Sequence, residues 1–136
     1  MFYNDLDEKQ NIITTRTSST TGNVSVPSGT VTTLRILSVT TGKYIIFGSA
    51  AIVASSYDTK LSMKICISTS TSFNNDNAGG VVTEPAFAAA MNCWAILDIY
   101  GDMNIYLLAY HACDASSDNN KVRTAQNIKL QAIKID

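Results

Sequence analysis

His111 is the single histidine of this 136-residue chain, and Asp114, Ser116 and Ser117 follow it closely. An imidazole oriented by a carboxylate can move a proton, and a neighbouring serine could act as nucleophile. Catalysis requires a nucleophile, a base and an oxyanion donor to converge, and this spacing brings no such set together. A strand-end histidine, satisfied by its neighbours or exposed, is the simpler reading. Nor are two acidic residues placed as a glycosidase would need them, so the chain is expected not to be an enzyme. The carboxylates Asp76, Asp114 and Asp118, with Asn74, Asn75, Asn77, Asn119 and Asn120, are oxygen donors of the kind calcium takes, but their spacing matches no calcium loop. They read as turn chemistry, with no metal and no cofactor expected. Cys66, Cys93 and Cys113 are odd in number and lack paired-ligand spacing, which argues against a disulfide framework and a zinc site and for free thiols.

The residues that could bind rather than react are aromatic side chains beside loop amides and carboxylates. Tyr57 with Asp58, and Phe73 with Asn74 and Asn75, have the types a saccharide site uses: a ring to stack on the sugar face and polar groups for its hydroxyls. Trp94, the lone tryptophan, sits in an apolar neighbourhood and is expected in the core.

Stepping from these residues to the elements that carry them, the stretch GDMNIYLLAYHA from Gly101 to Ala112 is the most informative. Met103, Ile105, Leu107 and Ala109 fill one face of a strand, and Tyr106, Leu108 and Tyr110 the other. An antiparallel strand usually shows one face to water, so a doubly apolar one is expected between its own core and a second dry surface, most simply another subunit. The segment KYIIFGSAAIVASS is apolar on both faces too, and Gly48, Ser49, Ala50 and Ala51 leave room at its middle for a neighbouring sheet or subunit. Lys60 to Ser68 alternates cleanly, with Leu61, Met63, Ile65 and Ile67 inward and Ser62, Lys64, Cys66 and Ser68 on a wet face. Val31 to Val39 changes phase between Ile36 and Leu37, and the closing strand from Val122 to Ile135 changes phase near Ala132; each change predicts a bulge. Val81 to Val82, Pro85 to Trp94 and Ala95 to Tyr100 add further extended pieces, of which Ala86 to Met91 fits a short helix as well as a strand and is taken as strand. Many short strands separated by turn signals indicate an all-β protein, an antiparallel β-sandwich or jelly roll.

Residues 1–26 precede this pattern as a Thr, Ser and Asn-rich segment, read as an extended arm in which Phe2, Tyr3 and Leu6 anchor the head domain of residues 27–136 to a larger body. The length allows one domain with a real core. Ten Lys and Arg against eleven Asp and Glu, with no basic run, leave no footprint for nucleic acid or an anionic membrane. The start MFYNDLDEKQ is acidic where a signal peptide would be basic and then apolar, and no apolar run is long enough to span a bilayer.

The Gly42-Lys43-Tyr44-Ile45-Ile46 strand start, the Gly101-Asp102 turn into an aliphatic and aromatic strand, the terminal Leu130-Gln131-Ala132-Ile133-Lys134-Ile135 and the lead TTGNVSVPSGT together carry a resemblance. The chain resembles the trimeric jelly-roll heads of the complement-type and tumour-necrosis-factor-like superfamily, as found on phage tail fibres, baseplates and virion surfaces. The resemblance covers roughly Val24 to Asp136. It implies a homotrimer with Tyr44, Ile46, Tyr106, Leu108 and Tyr110, or else the opposite phase of the strand, at the three-fold axis. It further implies a virion protein, made in the host cytoplasm without a signal peptide, whose head binds the host cell surface, plausibly carbohydrate. The alternative is a capsid decoration or head-fibre protein docked on the shell by its arm. A coiled-coil or collagen-like stalk is absent from the sequence, which suits a short docked arm better than a long fibre.

Overall fold

Period-two alternation of apolar residues runs through nearly the whole chain, and each alternating run becomes a strand because that spacing puts one apolar face toward a common interior. The computed structural model describes residues 15–20, 22–58, 61–83, 86–111 and 122–135. The strands are β1 (Thr15–Thr20), β2 (Val24–Pro27), β3 (Thr32–Val39), β4 (Gly42–Asp58), β5 (Leu61–Ser68), β6 (Ala78–Thr83), β7 (Ala86–Ile99), β8 (Met103–His111) and β9 (Val122–Lys134). Among the described residues one 3-10 turn, Asn75–Asn77, interrupts them.

All pairings are antiparallel and form two sheets. Sheet A has the order β1-β9-β4-β7, with β2 also pairing β9, and sheet B has the order β3-β8-β5-β6. The two pack face to face as a β-sandwich. Tyr44, Ile46, Ile52, Met91, Ile128 and Leu130 from sheet A meet Leu34, Met63, Ile65, Ile67, Ile105 and Leu107 from sheet B in one core. Each large side chain removed from water there contributes about 1.5–3 kcal/mol, which is the main force closing the sandwich.

Two glycines set how closely the sheets approach. A Cβ at Gly48 would lie 2.5 Å from Leu107 Cδ1, so the small residues at the middle of β4 admit a side chain of the facing sheet rather than a second subunit. A Cβ at Gly79 would lie 1.9 Å from the Asn92 carbonyl oxygen, which places the backbone of β6 directly against β7 where the two sheets meet at an edge.

The phase changes resolve as bulges in unexpected places. In β3 the register against β8 shifts between Thr33 and Arg35, so Leu34 turns inward while Ile36, paired with Tyr106, faces out. In β9 the irregularity falls at Asn127, which adopts φ 51°, as the register against β4 shifts between Ser49 and Ala51. Beyond it Ile128, Leu130 and Ala132 hold one inward phase, while Ile133 and Ile135 lie on the outer face. The bulge expected near Ala132 therefore sits at Asn127, because asparagine tolerates the left-handed backbone that an extra residue needs. Residues 86–99, read as two extended pieces, form one continuous strand. The second half of the segment read as an arm belongs to the sandwich: β1 and β2 pair in succession along β9, and Val26 is fully buried.

Candidate functional site

His111 ends β8 inside the sandwich. Its Nε2 is 2.6 Å from the Val26 carbonyl oxygen, and Arg123 Nη1 is 2.6 Å from its Nδ1. A guanidinium only donates, so Nδ1 must accept and Nε2 must carry the proton that bonds Val26, which makes the imidazole neutral and fixes its tautomer. Both side chains are almost wholly buried, and the trio ties β2, β8 and β9 together away from solvent. This satisfied arrangement matches the structural reading of the histidine. Asp114, Ser116, Ser117, Asp118, Asn119 and Asn120 lie outside the described residues.

The loop from Thr69 to Asn77 folds back over the outer face of sheet B. Ser68 Oγ donates to the Ser72 carbonyl at 2.8 Å, and the Ser70 amide donates to Ser68 Oγ at 3.2 Å. The Asn74 amide reaches Cys66 Sγ at 3.3 Å, and Asn74 Oδ1 accepts from the Asp76 amide at 3.0 Å, an Asx turn of the kind expected of this composition. The outer face of β5 is therefore wet only in part: Lys64 is exposed, but Cys66 and Ser68 are covered. Leu108, on the same outer face and paired in register with both Thr33 and Cys66, is 0% exposed. The second dry surface over β8 is thus supplied at Leu108 by the chain itself.

Beside that loop lies a cleft of about 300 Å³ lined by Val31, Lys64, Phe73, Asn75 and Tyr110. The Phe73 and Tyr110 rings are tilted by 59° with centroids 6.3 Å apart. Of the expected ligand residues, the structure brings Phe73 and Asn75 together here and uses Asn74 to pin the loop. Tyr57 and Asp58 fall within β4, but their side chains lie outside the described residues, as do Phe2, Tyr3 and Leu6. Lys64 and Tyr110 were missed as partners of Phe73 because they sit on strands whose neighbourhood only the fold supplies.

The outer face of sheet A has a different character. Trp94 is 63%, Ile96 51% and Phe47 44% exposed, and the register places Phe47 opposite Trp94 and Ile45 opposite both Ile96 and Ile133. These form one apolar surface, bordered toward one end by the cross-strand pair Lys43 and Asp98 and toward the other by Ser49, Asn92 and Lys129. The expectation that Trp94 is a core residue fails: on β7 the inward, buried positions are Cys93 and Ala95, and Trp94 and Ile96 point out. Tyr44 and Ile46, expected at a subunit contact, are 0% exposed within the chain. They are core residues of the sandwich, and it is their alternate neighbours Ile45 and Phe47 that reach the surface.

Of the three thiols, Cys113 lies outside the described residues. Cys66 and Cys93 are buried and free. Burial pushes the Cys93 thiol up to about 12, with the nearby Cys66 adding to the rise and the Gly48 backbone opposing it. Cys66 is also raised by burial, against a hydrogen bond from the Asn74 backbone. Thiols held protonated in this way are poor nucleophiles. Among the described residues no helix is long and apolar enough to cross a membrane. Compared with known proteins, the chain matches no family model and no curated protein.

Proposed function

We propose that this chain is the head of a homotrimeric virion protein, of the kind carried on phage tail fibres and baseplates, that binds the host cell surface through its outward sheet. The observation that carries this reading is the apolar outer surface of sheet A, where Phe47, Trp94 and Ile96 are exposed and Ile45 and Ile133 beside them are partly so. Contiguous apolar area of this kind, rimmed by polar residues, marks a protein contact, and a heterologous contact whose rotation closes makes a ring. The strand order supports the same reading: β3-β8-β5-β6 over β9-β4-β7 is a double Greek key, the jelly-roll arrangement of the trimeric heads that the chain resembles. With sheet A turned to the three-fold axis, sheet B and its loop cleft face outward.

Light scattering during gel filtration tests the assembly, and adsorption of the isolated protein to bacterial cells and their wall glycans tests the role. A mass of three 14.6 kDa chains together with saturable adsorption to cells supports the reading. A well-folded monomer overturns the trimer. A trimer that ignores cells and binds empty capsid shells overturns receptor binding in favour of a decoration role.

A further inference from the structure

We infer that the cleft between the 69–77 loop and sheet B is a binding site for a saccharide bearing an anionic group, a carboxylate or a phosphate. This deepens the host-surface reading above and rests on it for which sheet faces outward.

The cleft combines the three features such a ligand needs. Phe73 and Tyr110 are each half-buried, so part of each ring is held in place while the rest borders the cleft. Rings of this kind take the C–H face of a pyranose. Asn75 contributes an exposed amide, and Tyr110 a phenol. Among the described residues Lys64 is the one charged residue lining the cleft, and none of those lining it is a carboxylate. Among the described residues, the Lys64 ammonium, the Asn75 amide and the Tyr110 hydroxyl take part in none of the hydrogen bonds or ion pairs of the fold, so all are available to a ligand. A cationic site without a carboxylate partner favours an anion over a neutral sugar, because the ligand then supplies the missing countercharge.

The site is built before the ligand arrives. The chain of bonds from Ser68 to Ser72, from Ser70 to Ser68 and from Asn74 to Cys66 fixes the loop on β5, and the Asn77 amide closes on the Asn74 carbonyl at 3.3 Å. Phe73 is thereby positioned without paying ordering entropy on binding. About 300 Å³ is at the small end of ligand pockets, the size for a terminal sugar rather than for the length of a polysaccharide.

The test is a ¹H–¹⁵N NMR titration of the full chain with four probes: trigalacturonate and its neutral galactose counterpart, and glucose 6-phosphate and glucose. Amide shifts centred on Lys64, Phe73 to Asn75 and Tyr110 are expected, with at least one anionic probe binding about tenfold more tightly than its neutral counterpart, the effect of one added charge-assisted contact. Lys64→Gln should abolish that preference. Phe73→Ala should weaken charged and neutral probes alike by about tenfold. Should Phe73→Ala disturb the rest of the spectrum, Tyr110→Phe, which keeps the ring, should still cost a measurable few-fold loss. No shifts with any probe up to tens of millimolar, shifts centred elsewhere, or equal affinity for charged and neutral sugars would each overturn the inference. The mass of the same sample separates the two readings: a trimer without sugar binding sinks the cleft and leaves the trimer, and a sugar-binding monomer does the reverse.

Discussion

Cys93 illustrates how a side chain with no chemical role still sets a solution property. Its thiol is raised to about 12 chiefly by burial, whereas an unfolded chain releases that proton near pH 9. Because the folded value is the higher one, the stabilisation is fully present below about pH 9 and is lost as pH rises through the window up to about 12. Stability should therefore fall by about 1.4 kcal/mol per pH unit for this group within that window. Urea midpoints measured at pH 8 and 10.5 should diverge less in Cys93→Ala than in the parent, since the other thiol raised by burial, Cys66, is common to the two. At the same scale, His111→Phe removes an acceptor from the buried Arg123 and a donor from Val26 at once. It should cost about 2–4 kcal/mol by chemical denaturation, as expected for broken buried polar contacts.

Elements of this fold are shaped by a few backbone positions. Asn127 at φ 51° sits in the bulge that keeps Ile128, Leu130 and Ala132 on the core side of β9. Asn127→Gly should be neutral within about 0.5 kcal/mol, while Asn127→Val should cost about 1–2 kcal/mol, because a branched side chain resists the left-handed region. Thermal midpoints of the two variants check this. Gly79 acts between elements: its absent Cβ lets β6 lie on the Asn92 carbonyl of β7, a backbone that has nowhere to move. Gly79→Ala should destabilise by about 3 kcal/mol or prevent folding, and more than Gly48→Ala, whose clash is with the mobile end of Leu107. An equal loss in the two glycine variants would show that the sheet edge is softer than this geometry implies.

For the whole molecule, the outer face of sheet A decides the assembly. Trp94, exposed in the single chain, should emit at short wavelength in the intact protein and shift to the red on dilution, if the proposed three-fold contact covers it. Trp94→Lys with Ile96→Lys should leave a folded monomer by light scattering, because the pair sits outside the core and each added charge would be desolvated at the contact. A double variant that keeps the parent mass would place the contact elsewhere.

How much of this was legible in the chain itself follows from which interactions are local. Alternation of period two is a property of neighbouring residues, so the all-β class, the strands β3, β4, β5 and β8, and the turn at Gly101 could be read directly. The small volume at Gly48 was equally local, whereas residues 86–91 fit a strand or a short helix until pairing with β4 decided for the strand. What alternation leaves open is which of two apolar faces becomes the core, since a shift of one residue exchanges them. The sandwich chose Tyr44 and Ile46 for the inside and left Ile45 and Phe47 outside. On β7 it put the small Cys93 and Ala95 inside and left Trp94 and Ile96 outside, with Cys93 beside Leu107 of the opposite sheet at Gly48. The candidate cleft was visible only as Phe73 and Asn75 in a polar loop. Lys64 and Tyr110 joined them because β5 pairs with β8, with Lys64 opposite Tyr110, and because the loop returns over that pair. Sequence determined the strands, the turns and the presence of surplus apolar faces. Tertiary structure alone decided which face is core, where the bulges fall and which residues meet, because those choices rest on volumes and registers shared between residues far apart in the chain.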